Sequence, residues 1–151
     1  MTDPFARVKD AIADTLGALL PQQSDIAQPM VDAMRHAVLG GGKRMRPLMA
    51  CAACEAFSGS FKAALPAACG LEFIHAYSLI HDDLPAMDDD ELRHGQAATH
   101  IAFGEANAIL AGDSLHSLAF QSIAEAPALS HAAKLHCISL LSTAAGWPGM
   151  A

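Results

Sequence analysis

Charge is scarce in this 151-residue chain: Asp, Glu, Lys and Arg together make up 17% of it, and only nine residues are Lys or Arg. Against 16 Asp and Glu this leaves a net charge of −7, which excludes a nucleic-acid surface, because phosphate backbones are held by clustered Lys and Arg. Aromatic residues are sparse as well, with one Trp and one Tyr beside six Phe. Sustained strand-like alternation is missing, whereas apolar residues recur at helical spacing throughout. The 52% hydrophobic content excludes a disordered tail. What remains is an Ala-rich, all-α chain, long enough for a single helical domain over 1–151 and too short for two.

The opening "MTDPFARVKD" has acidic residues and no long apolar core, so it is no secretory signal. The longest uncharged run, from Leu135 onward, is broken by Ser, His, Thr, Gly and Pro. It misses the roughly 18 to 20 apolar residues of a membrane span, so no span and a cytoplasmic location are expected. Cys51 and Cys54 form a C-x-x-C within "MACAACEAF", whose Ala and Met suggest a buried helix interior, while Cys69 and Cys137 are single and distant. No zinc site is expected; the four read as buried free thiols of a reducing compartment.

Six helices are expected. The first runs from Asp3 to Leu20, with Asp3 as cap, Pro4 in the first turn and Pro21 as the stop. The second is capped by Ser24 or Asp25, turns Met30, Met34, Ala37 and Val38 inward and ends at "GGGK". A third starts at "KRMRPLMACAACEAF" and is ended by Ser58 and Gly59; a fourth runs from Lys62 or Ala63 to Asp83, with Pro66 in its first turn or two. A loop carries Asp88 to Gly95. Glu105 to Glu125 forms a fifth helix, apolar on most faces and so suited to a bundle interior or a subunit interface. The sixth begins near Ser130 and fades at "AAGWPGMA", an ending that reads as unfinished.

Two clusters carry what charge there is. "HDDLPAMDDDELRHG" places six carboxylates between Asp82 and Glu91. Asp82 and Asp83 fall at a helix C-terminus, where the backbone dipole is already negative and acids are unfavourable without cations. His75, Ser78, Leu79 and Asp82 share one helix face, and beyond Pro85 the chain can return Asp88 toward Asp82. Carboxylates that converge in this way suit a hard divalent ion, and Mg2+ held by so few ligands keeps sites for water or phosphate oxygens. A solvated loop is the plain alternative, and the spacing of a calcium-binding EF-hand, with its central Gly, is absent. The second cluster, "GGGKRMRP", sets Lys43, Arg44 and Arg46 where a glycine-rich turn starts a helix, a place where unpaired backbone N–H groups favour anions. It is no Walker A loop, since the spacing fails. Together the clusters suggest a site for two phosphorylated substrates, one held through Mg2+ and one by bare cations, with an apolar cavity between.

"GGGKRMRP", "IHAYSLIHDDLPAMDDDELRHG" and "FGEANAILAGDSL", in that order, resemble the trans-isoprenyl diphosphate synthases, most closely the bacterial farnesyl diphosphate synthase type, over the first half of the family pattern. The resemblance implies an isoprenoid-synthase-type helical bundle and a homodimer. It makes Asp82, Asp83 and Asp88 the first aspartate-rich motif, with Asp82 and Asp88 as Mg2+ ligands and Arg93 on the same allylic diphosphate. Lys43, Arg46 and His75 would hold isopentenyl diphosphate, and His94 stands where the family usually has a second Arg. The implied reaction ionises dimethylallyl or geranyl diphosphate and joins the cation to isopentenyl diphosphate, giving farnesyl diphosphate. Tyr77, with Ser78, would floor the pocket and set product length. His36, His81, His100, His116, His131 and His136 are expected to be structural. The family's second aspartate-rich motif is absent from these residues, which leaves a second expectation, a catalytically inactive helical subunit that binds diphosphates or a synthase partner.

Overall fold

The computed structural model describes residues 5–57 and 59–150. Its first helix, α1 (Ala6–Leu19), starts after Phe5, so the expected Asp3 cap and Pro4 lie outside the described residues. Val8, Ile12 and Leu16 recur every four residues and form its buried stripe. Pro21 acts as the stop: it forces Leu20 into extended backbone at ψ 144°.

Helix α2 (Gln28–Leu39) begins later than expected. Ser24 does bond backbone, its Oγ accepting from Ile26 N at 3.3 Å and Ala27 N at 3.1 Å. That closes a turn ahead of the helix, and Ala27 becomes the boundary residue. After Gly40, Gly41 and Gly42 take φ of +128° and +107°, a region open to glycine at no steric cost. Arg44 follows in the left-handed region and α3 (Met45–Ala56) starts directly after it. Here the expectation of a buried interior fails. Only Pro47, Leu48 and Cys51 of α3 are buried, Met49 is exposed and Phe57 just beyond is 90% exposed. Accordingly Cys51 and Cys69 are buried, but Cys54 and Cys137 are half-buried; all four are free. The helix rests on α4 by one stripe only, because its Ala-rich composition carries no periodicity to show which face turns inward.

The centre is α4 (Phe61–Asp82), with Pro66 tolerated in its second turn. Phe73 and Ile80 lie at its core, and it packs on α3, α1 and α6. Gly70 marks its closest approach to α6: a Cβ there would stand 2.9 Å from the Ala119 carbonyl oxygen. By length and composition α4 is the one helix among the described residues that qualifies as a membrane span, which an inspection of uncharged runs alone overlooks. In the bundle it serves as the core helix, with Glu72 enclosed.

Between α4 and the next long helix the chain departs from the expected plain loop. A two-stranded antiparallel hairpin, β1 (Leu92–Arg93) with β2 (Gln96–Ala97), turns at His94 and Gly95, both at positive φ as a two-residue hairpin turn requires. Two paired residues per strand are too few for alternation to show. Next comes a five-residue helix, α5 (Thr99–Phe103), separated from α6 (Glu105–Ala124) by Gly104 at φ +82°. Helix α6 lies against α4, α2, α5 and α7 and still leaves Ile109 and Leu110 exposed. The last helix, α7 (His131–Ala145), is capped by Ser130, whose Oγ accepts from Ala133 N at 3.2 Å.

Candidate active site

The acidic cluster begins where α4 ends. Pro85 stops the helix, and the turn that follows is closed by backbone bonds from Asp88 N to the Asp82 oxygen at 2.8 Å and from Asp89 N to the Leu84 oxygen at 3.2 Å. The first of these sets Asp88 beside Asp82. Among the described residues neither carboxylate has a hydrogen-bond or ion-pair partner, and Asp88 is exposed. Two open oxygen-donor groups at a negative helix end fit a hard divalent cation that keeps other positions for water or phosphate. They do not enclose one: no cluster of three His, Cys, Asp or Glu able to hold a metal occurs among the described residues.

Asp83 is different. It is 3% exposed and accepts from Arg93 Nε, at 3.1 Å to Oδ1 and 3.3 Å to Oδ2, and from Arg93 Nη2. The same Nη2 donates to Asp90 Oδ2 at 3.0 Å. The Asp83 bond raises the Arg93 pKa above its ordinary value, with some opposition from burial. Arg93, expected at the allylic diphosphate, thus lies at the acidic end, held by Asp83 and Asp90 with its side chain partly exposed.

The cationic corner lies one side over. A cleft of about 520 Å³ is lined by the glycine turn, Lys43, Arg44, Met45 and Arg46, by Glu72, His75 and Leu79 of α4, and by His94 of the hairpin. It gathers Lys43, Arg46, His75 and His94, the four residues expected at one diphosphate. The turn brings His94 there: its Nε2 would be 3.9 Å from a Cβ placed on Gly42. Burial pushes the His75 pKa down, and the neighbouring Arg46 cation adds to the effect. Arg44, which the sequence leaves as one more cation, has a structural task. Its Nη1 donates to Glu72 Oε1 at 2.6 Å and its Nη2 to the Val38 carbonyl, tying the end of α2 to α4. The only sequence sign of this was an acid in the middle of the apolar run "CGLEFI".

His75 and Asp82 stand on one face of α4 seven residues apart, about 10 Å of helix, so the acidic end and the cationic cleft are neighbours. Below Asp82, Tyr77 lies edge-on to His81 at 4.9 Å and to His116 at 5.0 Å, and His116 reaches Phe120 at 5.2 Å. Ser78 Oγ bonds the His75 carbonyl at 2.9 Å. Of the histidines read as structural, His36 bonds the Ala97 carbonyl at 2.9 Å and so fastens the hairpin to α2; His81 bonds the Ile109 carbonyl at 3.2 Å. His131 and His136 are exposed.

The fold is an all-α bundle whose central helix ends in open carboxylates beside a cationic cleft. The chain belongs to the polyprenyl synthetase family, whose profile matches residues 27–146. It is 49% identical over 122 residues to farnesyl diphosphate synthase of Haemophilus influenzae, covering 81% of this chain and 41% of that protein. It is also 49% identical over 119 residues to the chloroplastic geranylgeranyl pyrophosphate synthase 7 of Arabidopsis thaliana, covering 79% of this chain and 34% of the relative. The crystal structure of an FPP/GFPP synthase from Zymomonas mobilis superposes with a TM-score of 0.88 at 42% identity, over 93% of this chain and 51% of the other. The chain therefore spans less than half the length of these curated relatives.

Proposed function

We infer that this chain carries the diphosphate-gripping part of a prenyltransferase that condenses isopentenyl diphosphate with dimethylallyl or geranyl diphosphate to give farnesyl diphosphate. The observation that carries the reading is the convergence of Lys43, Arg46, His75 and His94 on one cleft, next to the open pair Asp82 and Asp88. Lys43 and Arg46 would hold isopentenyl diphosphate through charge and forked hydrogen bonds. Asp82 and Asp88 would hold Mg2+ at the allylic diphosphate, and a bound Mg2+ there neutralises charge on the departing group. Arg93, held by Asp83, would contact the same allylic diphosphate. Leu79, on the α4 face between the two ends, would help keep water from a reactive allylic cation. Tyr77, pinned by His81 and His116, with Ser78 beside it, would limit the growing chain to fifteen carbons. Pairing of two copies would cover the exposed edge at Ile109 and Leu110.

Calorimetric titration of isopentenyl diphosphate tests the cleft. Lys43→Ala with Arg46→Ala is expected to weaken binding at least tenfold, with or without Mg2+. Unchanged affinity would remove the reading. A second reading is a non-catalytic helical subunit that binds diphosphates or a synthase partner. Turnover of the 151-residue chain with Mg2+, abolished by Asp82→Ala, decides for the enzyme.

A further inference from the structure

The hairpin β1–β2 is held to the bundle at two points. His36 bonds the Ala97 carbonyl on one strand, and Asp83 grips Arg93 on the other. The residue that follows Arg93 is His94, at φ +53°, a conformation in which a side chain is placed by the turn and not by its own preference. Its imidazole reaches over the glycine turn into the cationic cleft. One covalent step thus links a buried ion pair at the acidic end to an imidazole at the anion site.

We propose that Asp83 is a positioning residue for the cationic cleft: by fixing Arg93 it sets the hairpin turn that holds the His94 imidazole over Gly42, where it bonds a diphosphate. The inference rests on the diphosphate-binding reading of that cleft and extends it to a residue of the aspartate run that neither lines the cleft nor serves as one of the two open carboxylates. Asp83 is the buried member of its cluster and meets the Arg93 guanidinium from inside, while Asp90 meets it from the exposed side. The groups facing His94 are Lys43, Arg44 and Arg46 from the glycine turn and the start of α3, and Glu72 and His75 from α4.

The test is the affinity of inorganic pyrophosphate for the 151-residue chain in the absence of divalent metal. Asp83→Asn keeps the side-chain shape and removes the ion pair. It is expected to weaken binding about tenfold, the loss of one hydrogen bond from His94 to the anion. In the background of His94→Ala the same substitution is expected to have no further effect. An undiminished loss in the His94→Ala background, or no loss at all, overturns the proposal. If Asp83→Asn lowers helicity, Arg93→Lys, which keeps the charge and loses the fork, must show the same dependence on His94, or the proposal fails. Absence of pyrophosphate binding by the unaltered chain removes the diphosphate reading itself, and the inference with it.

Discussion

At the cationic corner Arg44 is paired with Glu72 while Lys43 and Arg46 have no ion-pair partner among the described residues; at the acidic end Asp83 is paired with Arg93 while Asp82 and Asp88 are not. The two regions differ in where the paired residue is anchored. Arg44 fastens onto a carboxylate 5% exposed in the middle of α4, so the corner is built into the bundle. Asp83 fastens onto a hairpin at the surface, and that hairpin in turn brings His94 back across the cleft. Like charges adjacent in sequence are thereby sorted into those that hold the fold and those left open for a ligand.

The largest effect should come from breaking the built-in corner. Arg44→Met leaves Glu72 buried without its partner and is expected to cost about 3–5 kcal/mol in urea unfolding, the range for stranding one half of a buried pair. A loss under about 1 kcal/mol would place Arg44 with the open cations instead. Asp82→Asn should go the other way. Removing an unpaired carboxylate from a helix C-terminus is expected to raise stability by about 0.3–1 kcal/mol while metal-dependent ligand binding is lost. A destabilised variant would show that Asp82 has a structural partner.

The smallest effect concerns His75. Its pKa in the folded protein lies below the ordinary value because burial and Arg46 disfavour its charged form. The unfolded chain then binds the extra proton more readily, so stability is fully present above about pH 6.5 and falls as pH drops through that value. The drop in urea midpoint between pH 7.5 and pH 5.5 is therefore expected to be smaller in His75→Gln than in the unaltered chain. An equal drop in both would contradict the placement of His75 among cations.

Much of this architecture is legible in the chain because long helices advertise themselves. The expected Glu105–Glu125 helix and the observed α6 agree at the N-terminus and differ by one residue at the end, and the helix expected to begin near Ser130 starts at His131. The hairpin and α5 escaped because two-residue strands and a single five-residue helix fall below any periodicity. Both charge clusters could be found by composition alone. Their internal division could not, since which aspartate faces inward is decided by where Arg93 sits in three dimensions. Glu72 was the missed partner for the same reason: a lone acid in an apolar run signals burial without naming the cation that meets it.

The claim that the unpaired charges form the diphosphate site is tested most directly by titrating dimethylallyl diphosphate into the chain with and without Mg2+, beside the Asp82→Asn/Asp88→Asn variant. Mg2+ is expected to tighten binding at least tenfold in the unaltered chain and to have no effect on the variant. Tightening by Mg2+ that survives loss of both carboxylates would contradict the claim.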